Sequence, residues 1–236
     1  MRIWILLLVL FLNGCHYHCS SNPEDPFEKV NREVFKFNMA FDATVIKPPT
    51  HLYIWAIPAP VRASINGVYN NVASLPTIAN DILQLNFPQT QKDLIRLLIN
   101  STLGIGGIFD VASTKGYPVH RNDFGLTMAY WGSPKSPYIM IPFLGPATIR
   151  DSMGLIVDYT LFSPYPYIPD VYLWPILGVR YLDLRSQLVD SEPLLKNALD
   201  QYAFIRDAYL QLRKNQIAEI RPDVSQDQSQ DLYVMD

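Results

Sequence analysis

Prolines recur so often along this chain that long uninterrupted elements are hard to build. There are 19 in 236 residues, about 8% against an average near 5%. From Pro48-Pro49 to Pro193 most intervals between them are short. Each proline stops or bends a helix, because its ring lacks an N–H donor and crowds the preceding turn. The spacing therefore predicts several helices of modest length joined by bends. Sustained alternation of apolar and polar residues is scarce, so no extensive sheet is expected. The fold class read from the sequence is all-α.

The composition adds a second constraint. Hydrophobic residues make up 49% and charged residues 17%, below the typical ~25%. Yet after Leu12 no apolar run approaches the ~18 residues of a spanning helix. By composition alone, the apolar residues are expected to fill a core. The balance of 19 basic and 22 acidic residues does not support nucleic-acid binding, which calls for a basic patch.

The N-terminus reads as an export signal. Basic Met1-Arg2 precedes an apolar run from Ile3 to Leu12, too short to cross a bilayer and right for a signal core. Leu12-Asn13-Gly14-Cys15 resembles a bacterial lipobox. In that reading residues 1–14 are removed, Cys15 is acylated as the lipid anchor, and 15–24 form a lipidated linker. The globular part then runs over 25–220, and 221–236 is a polar tail expected to be disordered. An ordinary signal peptide followed by a chance cysteine is the competing reading; a zinc site in Cys15-His16-Tyr17-His18-Cys19 is a further one. Its ligands sit closer together than the usual spacings, and acylation would remove Cys15, leaving Cys19 alone.

Helical periodicity is clearest in "DPFEKVNREVFKFNMAFD". Asp25 suits an N-cap, Pro26 the first helical position and Glu28 a capping box. Phe27, Val30, Val34, Phe37 and Phe41 fall on one face, and Asn31 and Asn38 flank it seven residues apart. Such asparagines either hydrogen-bond a neighbouring backbone or line a channel. Further helices are expected over 88–104, 148–162, 176–192 and 199–220, the last being the longest.

The usual catalytic motifs do not occur. "GIGG", Gly104–Gly107, lacks the Lys-Ser/Thr of a phosphate loop and reads as a helix stop and turn. His51 and His120 have no partner visible in sequence. Arg150-Asp151 and Arg206-Asp207 read as helix-surface or inter-helix ion pairs. Ser64, Ser101 and Ser152 lack a histidine to activate them. No cofactor or metal is implied, and no enzyme is expected.

The stretches "DPFEKVNREVFKFN", "LINSTLGIGGIFDVAS", "FGLTMAYWGSPKSPYIMIPFLGPATIRDSMG", "RSQLVDSEPLL" and "DQYAFIRDAYLQLR" together resemble the MlaA family of lipoproteins, also called VacJ-type. They occur in the family's order across roughly residues 24–215. Ser136 departs from the glycine often found there. The resemblance implies a ring-like helical domain in the inner leaflet of the outer membrane, with a central channel. It implies removal of misplaced phospholipids from the outer leaflet and their transfer to a soluble periplasmic lipid carrier. Trimeric porins are the implied membrane partners, and an inner-membrane transporter lies further along the route. Phe37, Asn38 and Asn31 on the first helix, and Tyr138, Ile141 and Phe143 in a hairpin-like stretch, become lipid-path candidates. Gly132 and Gly145 become its hinges. A structural lipoprotein that only associates with porins, and a lipid hydrolase, are the alternatives.

Overall fold

A computed structural model describes residues 22–221. The signal, Cys15, Cys19 and the tail beyond 221 lie outside the described residues. The elements are α1 (Glu28–Phe41), α2 (Lys47–Ala56), α3 (Ala59–Leu83), α4 (Phe87–Thr102), α5 (Val111–Thr114) and α6 (Phe124–Tyr130). A hairpin of β1 (Tyr138–Ile141) and β2 (Gly145–Thr148) follows, then α7 (Ile149–Val157), α8 (Asp170–Ser186), α9 (Glu192–Lys196) and α10 (Gln201–Ile220). The strands pair antiparallel, Tyr138 opposite Thr148 and Ile141 opposite Gly145. Side chains cap several helices at their first turn: Asn86 on α4, Asp123 on α6, Thr148 on α7 and Asp200 on α10. Each supplies an oxygen to an otherwise unpaired backbone N–H.

The elements close on one another. α1 packs on β1, β2 on α10, α10 on α6, α6 on α3, α3 on α8 and α8 on α2. A π-helical turn, Asp42–Ile46, carries the chain from α1 into α2 and packs on both, closing the circuit. The all-α, ring-like expectation therefore matches the architecture, with the hairpin as one link of the circuit.

Burial runs opposite to the filled core expected from composition. Among the described residues, 11 buried side chains are apolar and 20 are polar or charged. Large apolar residues instead face outward, with Trp55 at 83% exposed and Trp174 at 69%. Small apolar clusters remain, Leu126–Ala129–Ile217 and Tyr138–Met140–Tyr202. The interior is chiefly a hydrogen-bonded network, and the greasy residues form its outside. Among the described residues, no helix is long and apolar enough to cross a membrane.

This inversion corrects two helix readings. On α1 the buried residue is Asn31, while Val30 and Phe37 of the apolar stripe are exposed. The longest helix is α3, with 25 residues against 20 for α10. It runs through Pro76, and its buried stripe is Asn71, Ser74, Thr77, Ile78, Asn80 and Asp81. Around the proline, Ser74, Thr77 and Asn80 donate to the carbonyls of Asn70, Ala73 and Pro76. Side-chain donors thus occupy carbonyls around the proline. The N-cap expected at Asp25 is also displaced: α1 starts at Glu28, and the Asp25 carboxylate is wholly buried. It accepts instead from Asn31, Tyr202 and Arg206.

The glycine turn after α4 is a contact as well as a helix stop. A Cβ on Gly67 of α3 would stand 2.2 Å from the Gly107 carbonyl oxygen. That closeness lets the 104–107 turn lie directly on α3.

The strongest knot in the interior joins α7 to α10. Asp151 accepts from Arg150 at 2.8 Å, from Arg213 at 2.7 Å and from the Tyr209 hydroxyl at 2.7 Å. Arg213 also forks onto both oxygens of Asp123 at 2.7 and 2.9 Å. The Arg150-Asp151 pair lies within α7 and is buried, not on the surface, and Asp151 extends it to Arg213 of α10. Burial alone would raise the Asp151 carboxyl, but the charge and hydrogen bond of Arg213, the Arg150 charge and the Tyr209 hydroxyl together hold it below its usual value. A depressed folded-state pKa contributes stability that is full above the unfolded value of ~3.9 and lost as pH falls through the folded one. Asp151→Asn should lower the unfolding free energy by about 3 kcal/mol at neutral pH, read by urea unfolding in detergent micelles. The gap from the parent protein should shrink as the pH is taken below ~4.

Candidate functional site

Asparagines at 31 and 38 tie α1 to the hairpin. The Asn31 amide donates to the Tyr138 carbonyl at 3.3 Å and accepts from the Met140 N–H at 2.9 Å. Asn38 repeats the pattern, donating to the Ile141 carbonyl at 2.9 Å and accepting from the Phe143 N–H at 2.8 Å. Each carboxamide acts as one residue of a neighbouring strand would. The spacing works because seven helical residues rise ~10.5 Å and three strand residues span ~10 Å. Of the two roles open in the sequence for these asparagines, the backbone hydrogen bond is the one seen.

The tip of the hairpin is apolar and held on several sides. Phe143 makes edge-on contacts with Phe37 and Phe41 at 5.2 and 4.9 Å between ring centroids. Its carbonyl accepts from the Tyr181 hydroxyl of α8 at 3.1 Å. Phe143 itself has φ of +66°, a left-handed conformation that costs a bulky residue energy and persists only when its surroundings enforce it. Here the Asn38 and Tyr181 bonds and the aromatic contacts do so. Phe37 and Phe143 remain about half exposed, and Leu144 beside them more so.

The six path candidates thus separate by environment. Phe37 and Phe143 come together on the surface. Ile141 is partly buried, and Asn38 binds backbone. Asn31 and Tyr138 are buried, Tyr138 packing against Tyr202 and Tyr209. Burial pushes the Tyr138 hydroxyl well up from its usual range. The two glycines differ as well. Gly145 has φ of +93° and pairs with Ile141 at the base of the three-residue turn. Gly132, with φ of +129°, follows α6 and opens the segment leading to β1. That segment is latched by Arg150, which donates to the carbonyls of Ser133 and Pro134 at 3.0 and 2.9 Å. Ser136, the departure from the family pattern, accepts from the Arg150 N–H at 3.0 Å.

The three serines are engaged in other hydrogen bonds. Ser64 and Ser152 donate to the carbonyls of Pro60 and Thr148, and Ser101 accepts from Asn71. His120, by contrast, does have carboxylate partners, Asp93 at 2.8 Å and Asp81 at 3.8 Å. They come from α4 and α3 and are remote in sequence, which hid them from a local reading. The bond from Asp93 raises the His120 imidazole, and burial raises the Asp81 carboxyl to about 7.

Relatives share this fold and sequence. A solved chain from a study of the structural basis for maintenance of bacterial outer membrane lipid asymmetry superposes with TM-score 0.70 at 29% identity, over 82% of this chain and 98% of that one. The intermembrane phospholipid transport system lipoprotein MlaA of Escherichia coli is 31% identical over 193 residues, 79% of this chain and 76% of that protein. An uncharacterized protein of Rickettsia prowazekii is 36% identical over 192 residues, 80% of this chain and 76% of that protein. The family model described as MlaA lipoprotein matches residues 23–216, and this chain therefore belongs to the MlaA lipoprotein family.

Proposed function

We propose that this protein carries phospholipid between membranes as an outer-membrane lipoprotein and so maintains the lipid asymmetry of the outer membrane. The observation that carries the reading is the inverted burial. Buried polar groups inside a closed circuit of helices, with Trp55 and Trp174 outside, suit a body whose rim sits in hydrocarbon. A water-soluble monomer rarely exposes apolar surface on that scale. The names of the relatives supply the cargo: phospholipid for the Escherichia coli protein and outer-membrane asymmetry for the solved chain.

The chemistry to be overcome is desolvation. Moving an acyl chain into water costs ~0.8 kcal/mol per CH₂, so two chains of ordinary length cost on the order of 20 kcal/mol. A route must shield the tails while it admits a polar head group. In this reading Cys15, once acylated, anchors the chain in the periplasmic leaflet. The ring's centre is the channel. Phe37 and Phe143 touch the acyl chains, and Asn31, Asn38, Tyr138 and Ile141 position the hairpin that bears Phe143. Gly132 and Gly145 flank that hairpin, and Gly132 is the pivot favoured by its place outside the sheet. A trimeric porin takes the apolar rim on one side, and a soluble periplasmic lipid-binding carrier receives the lipid. A passive channel lowers a barrier without setting direction, so net flow comes from differences in lipid affinity or from an energised partner. No covalent step is required.

Photocrosslinking probes at Phe37 and Phe143 in cells, followed by mass spectrometry, should yield phospholipid adducts at both and none at exposed Lys214. Protein-only adducts at both, from a folded and membrane-localised chain, would favour a structural porin-associated role instead. A second outcome concerns the asparagine clamp. Asn38→Ala should speed hydrogen exchange of the Phe143 amide several-fold, a loss of about 1 kcal/mol, and lower transfer of outer-leaflet phospholipid. Exchange at Met140, held by Asn31, should change much less.

A further inference from the structure

Two buried carboxylates and an imidazole converge where α3, α4 and the segment before α6 meet. Asp81 lies near the end of α3, Asp93 in α4, and His120 in the segment after α5. One ligand atom from each lies within 4.8 Å of the others. The Asp81 side chain is 0% exposed and that of Asp93 4%. The Asp81 carboxylate is half satisfied. Its Oδ1 accepts from the Asn122 amide at 2.7 Å, while its Oδ2, the oxygen facing His120, is buried with no hydrogen-bond partner. Asp93 Oδ2 accepts from Gln89 at 3.1 Å and faces His120 Nδ1.

Charge makes this arrangement incomplete. Among the described residues, the ion pairs of both carboxylates run only to His120. Two buried carboxyl groups against one imidazole need a further positive charge, a proton shared between them or a cation, because a buried uncompensated charge is costly. An orphaned carboxylate oxygen aimed at an imidazole nitrogen is also what a ligand set looks like before its cation binds. We propose that Asp81, Asp93 and His120 form a zinc site. This goes beyond the lipid-transport reading and does not depend on it.

The geometry fits. Tetrahedral bonds of ~2.0–2.2 Å place ligand atoms ~3.3–3.5 Å apart. The two His120 contacts, 2.8 and 3.8 Å, bracket that separation. Two carboxylates with one imidazole favour zinc over calcium, whose usual shell is all oxygen. Asn122 and Gln89 supply the outer hydrogen bonds that orient ligating carboxylates. Three protein ligands leave a fourth position for water. His120 is one-third exposed and borders a cavity of about 460 Å³ that also touches Asn122, Gln216 and Glu219, which gives the ion a path in. Once bound, the cation would cross-link α3, α4 and the segment leading into α6.

The test uses the full chain purified in detergent, with His16→Ala, His18→Ala and Cys19→Ala to remove the competing N-terminal ligands. After chelation and equilibrium dialysis against Zn²⁺, elemental analysis should find one zinc per chain, with a raised melting temperature. Asp81→Asn and His120→Gln in the same background should each weaken zinc binding at least tenfold. Loading the background protein with Co²⁺ should give the intense visible bands of a four-coordinate site with nitrogen and oxygen ligands, a readout that needs no variant to fold. Absence of stoichiometric zinc, binding unchanged by both substitutions, a six-coordinate cobalt spectrum, or binding of Mg²⁺ or Ca²⁺ in place of zinc would each overturn the assignment. In the first of these cases a proton shared by Asp81 and Asp93 would balance the site.

Discussion

A polar interior holds a protein together only if nearly every buried donor finds an acceptor, because each unpaired buried group costs about 1–3 kcal/mol. The whole ring depends on that condition. In most domains apolar burial does the joining and hydrogen bonds follow. Here Asp25, Asp123, Asp151 and Asp183 each gather donors from distant parts of the chain. Asp183 of α8 collects the Tyr53 hydroxyl from α2 and the Asn66 amide from α3, so one carboxylate joins three helices. Directional bonds of this kind specify geometry more narrowly than apolar contact, since an amide or guanidinium accepts few orientations. The apolar surface is thereby released from the task of holding the fold and is free to face the environment.

Much of the fold was legible where apolar periodicity and capping agreed. The helix read over 88–104 is observed as Phe87–Thr102, and that read over 199–220 as Gln201–Ile220. The reading broke down where the buried stripe is polar. α3 shows asparagine, serine and threonine at helical spacing, a pattern that an apolar template passes over. Pro76 reinforced the miss, because a proline inside a pattern is read as an end. The Asp25 cap failed for a related reason. Local sequence offered it an N-terminus, while Tyr202 and Arg206, close in space and far in sequence, offered stronger donors.

The site followed the same division. Asn31 and Asn38 were visible as a pair, since seven residues return a helix to nearly the same face. Their strand partner was not, because nothing in either segment encodes the match of helix rise to strand rise. Phe37 and Phe143 could be nominated by resemblance, but their contact with Phe41 comes from the hairpin turning back over α1. His120 was invisible as a partner of carboxylates, with its neighbours supplied by two other elements.

The paired asparagines also fix the register of the hairpin on α1. Helix and strand meet like two scales with matching graduations, engaged at two marks. A slip of β1 by one residue would offset both marks at once, and no intermediate setting recovers either. The hairpin therefore cannot ratchet along α1 in small steps. Any displacement of β1 along α1 would break both pairs together.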